Sequence, residues 1–374
     1  MYPPTLNAIH ELAGMFEKVI VLYRNSVFND WVYPDNVILI PHGRDISIRQ
    51  QEQLSTLQKI FAFAGFTFKQ YKTCLKYRPE QVLLYDSIAL FSHHLIRRVL
   101  PAKPVWYHSH DVAESGSVRK YSIAWFSFSA EKRAFNYIDM FTLPAKERLQ
   151  YFPVEKLKGK YFVIPNYPLL AFYKKFYAKK QLAQNVRLIY QGHISELHGI
   201  EQIIELLPEK IGGYEIFLVL KGPCKEEYKK QLEKRVTELG VIEKVQFIGV
   251  TAYAEVPAIC STCHIGIGIH AKQDFMNTSL GTASNKLYEY AAVGLPVLYY
   301  KNSHFDDYLG VYDWAFATSL NTDDIHQQIG EIITNYSEIS ASANSDFVNE
   351  LHFEKQFEPA AAYLQQVHKN LQLN

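Results

Sequence analysis

The 374-residue sequence has four cysteines, too few for a disulfide framework in a chain of this length. A reducing cytoplasm is therefore the expected setting, with the inner face of a membrane as a variant of it. No run of 18 apolar residues occurs, which excludes a transmembrane helix. The first residues, MYPPTLNAIHELAG, hold no basic stretch followed by an apolar one, so they do not read as a secretory signal. Low-complexity tracts and short internal repeats are also missing. Hydrophobic residues make up 48% and charged residues only 21%, which argues against intrinsic disorder. At about 150 residues per domain, the length suggests two or three domains.

The net charge of +1 hides an asymmetry. Residues 1–168 carry 21 Lys/Arg against 14 Asp/Glu, while residues 169–374 carry 18 against 24. The halves thus stand at +7 and −6. A basic half suits an anionic partner such as a lipid headgroup or a polyphosphate; two solvated surfaces of differing pI are the plainer explanation.

Short apolar, β-branched runs alternate with helical periods. Strands are expected at Lys18–Tyr23, Asn36–Ile40, Gln81–Tyr85, Pro104–Tyr107 and Met140–Leu143, with helices near 5–16, 49–77, 88–99, 118–136 and 145–152. The second half repeats the alternation, with strands at Val186–Tyr190, Glu215–Leu220, Lys244–Ile248, Ile265–Ile269 and Pro296–Tyr300. Its helices fit 199–207, 225–239, 252–261 and 283–293. Continuous apolar strands separated by helices mean parallel sheets covered on both faces. Two doubly wound α/β domains are therefore expected, at 1–168 and 169–350. The seam lies at Val163-Ile-Pro-Asn-Tyr-Pro168, where two prolines stop helix and central strand alike. A terminal helix follows within 351–374.

The strongest motif is Ser284-Asn-Lys-Leu-Tyr-Glu-Tyr-Ala-Ala-Val-Gly-Leu-Pro-Val-Leu298. Ser284 can cap a helix whose first turn holds Asn285 and Lys286, and free N–H groups beside a lysine make a ready anion site. Glu289 can accept the two hydroxyls of a ribose, as acids do in dinucleotide folds. In VRLIYQGHISELHGIEQII (186–204), a strand is followed by Gly192, where the backbone can approach a phosphate. His193 and His198 lie at that edge. Each motif has an ordinary structural explanation as well: a capped helix, and histidines in a surface loop. Cys260-Ser-Thr-Cys263-His264 matches the haem-attachment pattern, but no second axial ligand or second C-x-x-C accompanies it. Its cysteines read as small buried hydrophobes.

Taken together, these segments resemble the nucleotide-sugar domain of retaining GT-B glycosyltransferases, especially the large family 4. The match runs through the glycine loop, Lys221-Gly222-Pro223, Val245-Gln-Phe-Ile-Gly249, Ile265–Ile269 and then SNKLYEYAAVGLPV. The resemblance implies two Rossmann-like domains facing a cleft, with the terminal helix crossing back to the first. It implies a nucleotide-sugar donor whose diphosphate sits between Gly192 and the helix at Ser284, with Glu289 on the ribose and the base near Gly249 and Thr251. The partner is a glycan or lipid-linked acceptor. No cofactor, metal or nucleic acid is expected. In the first half, Val105-Trp-Tyr-His-Ser-His-Asp111 ends a strand, and His110 fits the place of a family histidine that touches the donor sugar, with His108 as fallback. Asp111 is expected to orient that imidazole or meet the acceptor. Lys286 supplies fixed charge for the leaving diphosphate, with Lys221 nearby.

This sequence departs from the family pattern in places. His193 and His198 stand where the family usually has Arg and Lys, so a charged role needs an imidazolium. Thr282 stands where an acid is common. Two rival functions share the fold: a nucleotide-sugar epimerase and a non-catalytic sugar-nucleotide-binding protein. Aromatics at 61–71 and 121–128 lie beside Lys69, Lys72, Lys76, Arg119 and Lys120, a composition that suits an anionic membrane interface as well as buried packing. The chain opens with Met1-Tyr-Pro-Pro-Thr, which reads as the loop after a strand, so the central first strand of the N-terminal sheet is expected to be missing.

Overall fold

The structure is a computed structural model describing residues 3–25, 31–45, 50, 53–112, 118–272, 277 and 280–372. The chain divides into two compact units, Met1–Pro165 with Phe357–Asn374, and Asn166–Gln356. The boundary falls inside the expected seam, three residues before its last proline, Pro168. The terminal helix is shared, since its residues from Phe357 onward belong to the first unit.

Unit 1 begins with α1 (Pro3–Met15), which buries Leu6, Ile9 and Leu12 at helical spacing. Asn36 Nδ2 donates to the carbonyls of Ala13 and Phe16, closing the end of this helix. β1 (Val19–Arg24) and β2 (Val37–His42) pair in parallel as a two-stranded sheet. α2 (Thr56–Tyr77) starts later than expected, at a reciprocal cap: Gln58 N–H donates to Ser55 Oγ and Ser55 N–H to Gln58 Oε1. Residues 49, 51 and 52 of that expected helix lie outside the described residues. Then come β3 (Val82–Tyr85), α3 (Asp86–Ile96), β4 (Val105–His108), α4 (Ile123–Ala134), β5 (Met140–Leu143) and β6 (Lys160–Val163). The four strands form a parallel sheet in the order β3-β4-β5-β6. β4 and β5 are wholly buried, whereas every residue of β1 keeps partial exposure.

Residues 3–5 are helical, so no strand within them pairs in a sheet; Met1 and Tyr2 lie outside the described residues. Among the described residues, no ladder joins β1-β2 to β3-β6. β6 was not expected, because Lys160–Val163 abuts the proline seam.

Unit 2 holds α5 (Leu170–Tyr173), β7 (Asn185–Gln191), α6 (Ile200–Leu206), β8 (Lys210–Ile211), β9 (Tyr214–Lys221), α7 (Glu226–Glu238), β10 (Val245–Gly249), α8 (Val256–Ser261) and β11 (Ile265–Gly268). α9 (Asn285–Ala292), β12 (Val297–Tyr300), α10 (Ser303–Leu309), β13 (Ala315–Thr318), α11 (Thr322–Thr334) and α12 (Tyr336–Asn349) follow, before the shared α13 (Phe353–Gln372). Strand order is β10-β9-β7-β11-β12-β13, all parallel, with β8 antiparallel on β9. The chain builds outward from β7 through β9 to β10, then returns to the other side of β7 with β11. The order reverses there, and ligands of open α/β sheets bind beyond the carboxyl ends of strands at such a point.

The core of this unit comes from both sheet faces. Leu188, Leu218 and Ile267 pack with Ile200, Ile203 and Ile325 on one side; Ile189, Val219 and Val297 pack with Tyr290, Leu287 and Phe347 on the other. Each such side chain, taken fully out of water, contributes about 1.5–3 kcal/mol. α9 is pinned by α12: Ser340 Oγ donates to Gly294 O and Asn344 Nδ2 to Ala292 O, satisfying carbonyls at its end. Cys260 and Cys263 are fully buried core residues. Among the described residues, no helix is long and apolar enough to cross a membrane.

Candidate functional site

The carboxyl ends of β7, β9 and β10 are tied by glycine backbone. Gly192 N–H donates to Lys221 O and Gly222 N–H to Gly249 O. Gly192 (φ +130°) and Gly222 (φ +132°) lie where side-chain-bearing residues rarely go. A Cβ on Gly222 would stand 1.9 Å from Gly192 O, so the two loops meet this closely only because residue 222 is glycine.

Beside Gly192 lies a basic cluster. Lys286 Nζ donates to Tyr190 Oη at 3.1 Å and sits 4.1 Å from the centre of that ring. The Tyr190 hydroxyl also meets His193 O at 2.9 Å and His198 Nδ1 at 2.8 Å. His198 stacks on Tyr190 and meets His270 edge-on, with ring centres 5.2 Å apart. Burial pushes Lys286 down to about 7, against a rise from Glu289. Burial, then the Lys286 charge, then His193 push His198 down to about 3. The imidazolium that a charged role at position 198 would need is therefore not formed: His198 is neutral because it is buried beside a lysine.

His270, at the end of β11, was not anticipated. It is 9% exposed, its Nε2 has no hydrogen-bond partner among the described residues, and burial followed by Lys286 holds it well below the usual histidine range. Topology could have found it, since it lies across the switch point from Gly192. Sequence motif could not.

The second cluster surrounds Glu289, which is 2% exposed. Gln191 Nε2 donates to Glu289 Oε2 at 2.6 Å, and the hydroxyls of Tyr253 and Tyr173 also bond the carboxylate. Burial raises its pKa, while those three donors and the charge of Lys221 work against the rise. A ribose at this carboxylate would compete with these donors for its acceptor sites. Gln191 Oε1 in turn takes a hydrogen bond from Cys260 Sγ. Lys221, 6% exposed, is lowered by burial.

The remaining expected residues are less tightly engaged. Ser284 occupies the N-cap of α9, but its side chain makes no capping bond, a correction to the expected cap. Its ψ of 105° belongs to an extended residue that follows a 3-10 turn (Gly281–Ala283). Asn285 Oδ1 is buried without a hydrogen-bond partner among the described residues. The His193 side chain is exposed, and Thr251 donates to Ala252 O.

Unit 1 carries a separate constellation at the end of β4. His110 is 7% exposed. Asp86 Oδ1 accepts its backbone N–H at 2.9 Å, Asp86 Oδ2 lies 3.4 Å from Nδ1, and Thr5 Oγ1 lies 3.1 Å from Nε2. Tyr85 stacks on the ring, and Arg148 donates to His110 O. Asp111 does not orient this imidazole; it faces Arg148 at 3.6 Å with its side chain two-thirds exposed, which corrects the expectation. His108 Nδ1 meets Thr142 Oγ1 at 2.7 Å, while its buried Nε2 has no partner among the described residues. No group of three or more His, Cys, Asp or Glu among the described residues is placed to hold a metal ion.

Residues 174–345 match the family described as glycosyl transferases group 1. The fold is shared with a glycosyltransferase from Rickettsia africae ESF-5 (TM-score 0.69, 12% identity, 98% of this chain and 94% of that one). It is shared equally with the sucrose-phosphate synthase of Thermosynechococcus elongatus (TM-score 0.67, 12% identity, 98% and 92%). Anabaena HepE, solved with UDP, is a third (TM-score 0.62, 17% identity, 93% and 100%). No curated protein is close enough in sequence to count as a match. The fold is the one shared by GT-B glycosyltransferases. Within it, residues 174–345 carry the similarity to glycosyl transferases group 1.

Proposed function

We propose that this enzyme takes a sugar from a nucleoside diphosphate sugar and places it, with retention of configuration, on a glycan or lipid-linked acceptor. The observation that carries the reading is the cluster of Lys286, His198 and His270 around Gly192, which among the described residues has no acid within hydrogen-bonding reach and is drawn down in pKa by burial. Such a cluster suits a diphosphate. Glu289, about one turn from Lys286 along the same helix, suits the ribose. HepE is described in complex with UDP and with UDP-glucose, and WaaG as a glycosyltransferase involved in lipopolysaccharide biosynthesis. Those descriptions support a sugar nucleotide and a surface glycan.

In the reaction, the bond from the anomeric carbon to the diphosphate oxygen breaks and its electron pair leaves with the diphosphate. The acceptor oxygen bonds to that carbon, and its proton passes to the departing diphosphate. Lys286, with N–H groups at the start of α9, stabilises the charge on the leaving group as it develops. A lipid-linked acceptor is favoured by the exposed apolar stripe of α2 with its lysines, which suits an anionic membrane.

The test is a thermal-shift screen of UDP, UDP-glucose and other sugar nucleotides. A ligand at 100 times its Kd stabilises the native state by about 2.7 kcal/mol. A shift that disappears in Lys286→Met supports the reading. If no nucleoside diphosphate or sugar nucleotide moves the transition, the reading fails.

A further inference from the structure

Asp86 combines an unfavourable backbone with a specific contact. It follows β3 directly and has φ +61°, in the left-handed region that side-chain-bearing residues seldom occupy. That conformation aims its carboxylate at one residue. Oδ1 accepts the backbone N–H of His110 at 2.9 Å, and Oδ2 lies 3.4 Å from His110 Nδ1. Backbone held in a sparsely populated region persists where the surroundings over-determine it, and such places cluster at functional sites. Nothing in the spacing of the sequence pairs Asp86 with His110, because 24 residues separate them.

We infer that Asp86 is a positioning residue that sets the tautomer and ring orientation of His110. A carboxylate only accepts, so the proton facing it is on Nδ1. Nε2 is then bare and accepts from Thr5 Oγ1, 3.1 Å away. Further neighbours hold the ring and its backbone in place. Tyr85 stacks at 4.9 Å between centres, His108 meets it edge-on at 4.6 Å, and Arg148 grips the carbonyl of His110 and faces Asp111. The lone pair that takes the Thr5 hydroxyl in the free enzyme is the one that takes a substrate hydroxyl in turnover. The second of these statements rests on the reading of His110 as a substrate contact; the first does not.

Two substitutions separate positioning from local structure. Glycine adopts φ +61° freely and asparagine tolerates it, so Asp86→Gly and Asp86→Asn both keep the turn. If Asp86 served the turn alone, glycine would replace it without loss. Asparagine keeps one oxygen for the His110 N–H but turns an NH2 group toward Nδ1, which favours the opposite tautomer. The readouts are the 15N signals of the histidines in the full chain, with His110 assigned by comparison with His110→Ala, and turnover with the sugar nucleotide selected by thermal shift. We expect His110 in the Nδ1–H form in the parent and a mixed or Nε2–H form in both variants. Melting temperature should hold, and kcat should fall by about tenfold or more with KM changed less. An unchanged tautomer in Asp86→Asn, or full kcat in Asp86→Gly while His110→Ala is impaired, overturns the inference. Full activity in His110→Ala instead removes the substrate role of His110, and the nitrogen spectra still decide whether Asp86 sets its tautomer.

Discussion

Lys286 rests its ammonium against the face and hydroxyl of Tyr190, 4.1 Å from the ring centre and 3.1 Å from the oxygen. The nearby imidazoles of His198 and His270 are neutral, and Glu289, the acid that acts on this lysine, is itself engaged by Gln191, Tyr253 and Tyr173. Tyr190 thus partly replaces the anion that the lysine lacks.

That arrangement predicts proton uptake on binding. Lys286 stands at about 7 in the free enzyme, and an anion beside it raises that value. Below pH 7 the ammonium is already formed and affinity for a nucleoside diphosphate is flat. Above pH 7 the free enzyme must gain a proton, so affinity falls by up to about tenfold per pH unit until the pKa of the complex is reached. Calorimetry at pH 7.5 in buffers of different ionisation enthalpy measures the uptake directly. An affinity unchanged from pH 6 to 9 would take Lys286 off the phosphates.

The same burial carries a stability consequence. Between about pH 7 and 10 the unfolded chain holds a proton on this lysine that the folded free enzyme has lost, so this group makes stability rise with pH across that window. Lys286→Met removes the slope and should raise the melting temperature near neutral pH, at about 2–4 °C per kcal/mol gained, while abolishing the shift caused by a nucleoside diphosphate. A variant that melts lower and still binds contradicts both statements.

Glu289→Ala should damage binding and fold together. The sequence suggests only a ribose contact, but the carboxylate also closes a buried network with Gln191, Tyr253 and Tyr173. Each donor left unsatisfied costs about 1–3 kcal/mol. Loss of a charged acceptor for the ribose weakens donor affinity by about 1.5–3 kcal/mol. Glu289→Gln, which keeps one oxygen, should be milder on both counts. Denaturant melts and calorimetry on the two variants check this; a Glu289→Ala protein of parental stability would mean the network closes without it.

Gly222→Ala and Gly192→Ala should differ in kind. The added methyl at 222 meets the Gly192 carbonyl at 1.9 Å, which is backbone and cannot yield locally. At 192 the nearest atom is Lys286 Nζ at 3.1 Å, the end of a flexible side chain. Gly222→Ala should therefore lower stability by several kcal/mol, on the order of the larger effects seen for single changes. Gly192→Ala should keep the fold at a smaller cost and lose nucleoside diphosphate affinity. Equal melting temperatures would refute the distinction.

How much of this was legible follows from what periodicity encodes. β5 appears at its expected limits, and β1, β4, β7 and β12 within a residue or two, because buried parallel strands are continuous apolar runs. The missed strands β6, β8 and β13 (KYFV, KI and AFAT) are short, and β6 and β13 lie at sheet edges, so their composition is less distinctive. Glu289 and Lys286 were legible as a helix-start motif. His270 and Asp86 were not, since each depends on which strand ends the topology brings together. The neutral state of His198 was equally hidden, because burial beside Lys286 is a tertiary fact.

The last prediction concerns α2. Leu57, Phe61, Phe68 and Leu75 recur at spacings of four, seven and seven, so they share one face, and that face is open: Phe61 is 74% and Leu57 67% exposed. Phe63 and Phe66 lie on the other side, stacked on Phe91 and edge-on to His42. The aromatic cluster thus splits into an inner half that packs and an outer half that does not. Lys72 lies 4.6 Å from the Phe68 ring, and Lys76 is one turn further along. An apolar stripe flanked by lysines suits the headgroup region of an anionic bilayer, where each lysine adds about 1 kcal/mol. Phe61→Ser with Phe68→Ser should leave the melting temperature nearly unchanged, since surface changes cost within about 0.5 kcal/mol, and should reduce cosedimentation with phosphatidylglycerol-containing vesicles. Lys72→Glu with Lys76→Glu should reduce it by tenfold or more at low salt, an effect that shrinks as the screening length falls below about 10 Å near 0.1 M salt. Binding that survives both pairs of substitutions, or that is absent from the parent at low salt, would show that this face meets something other than an anionic membrane.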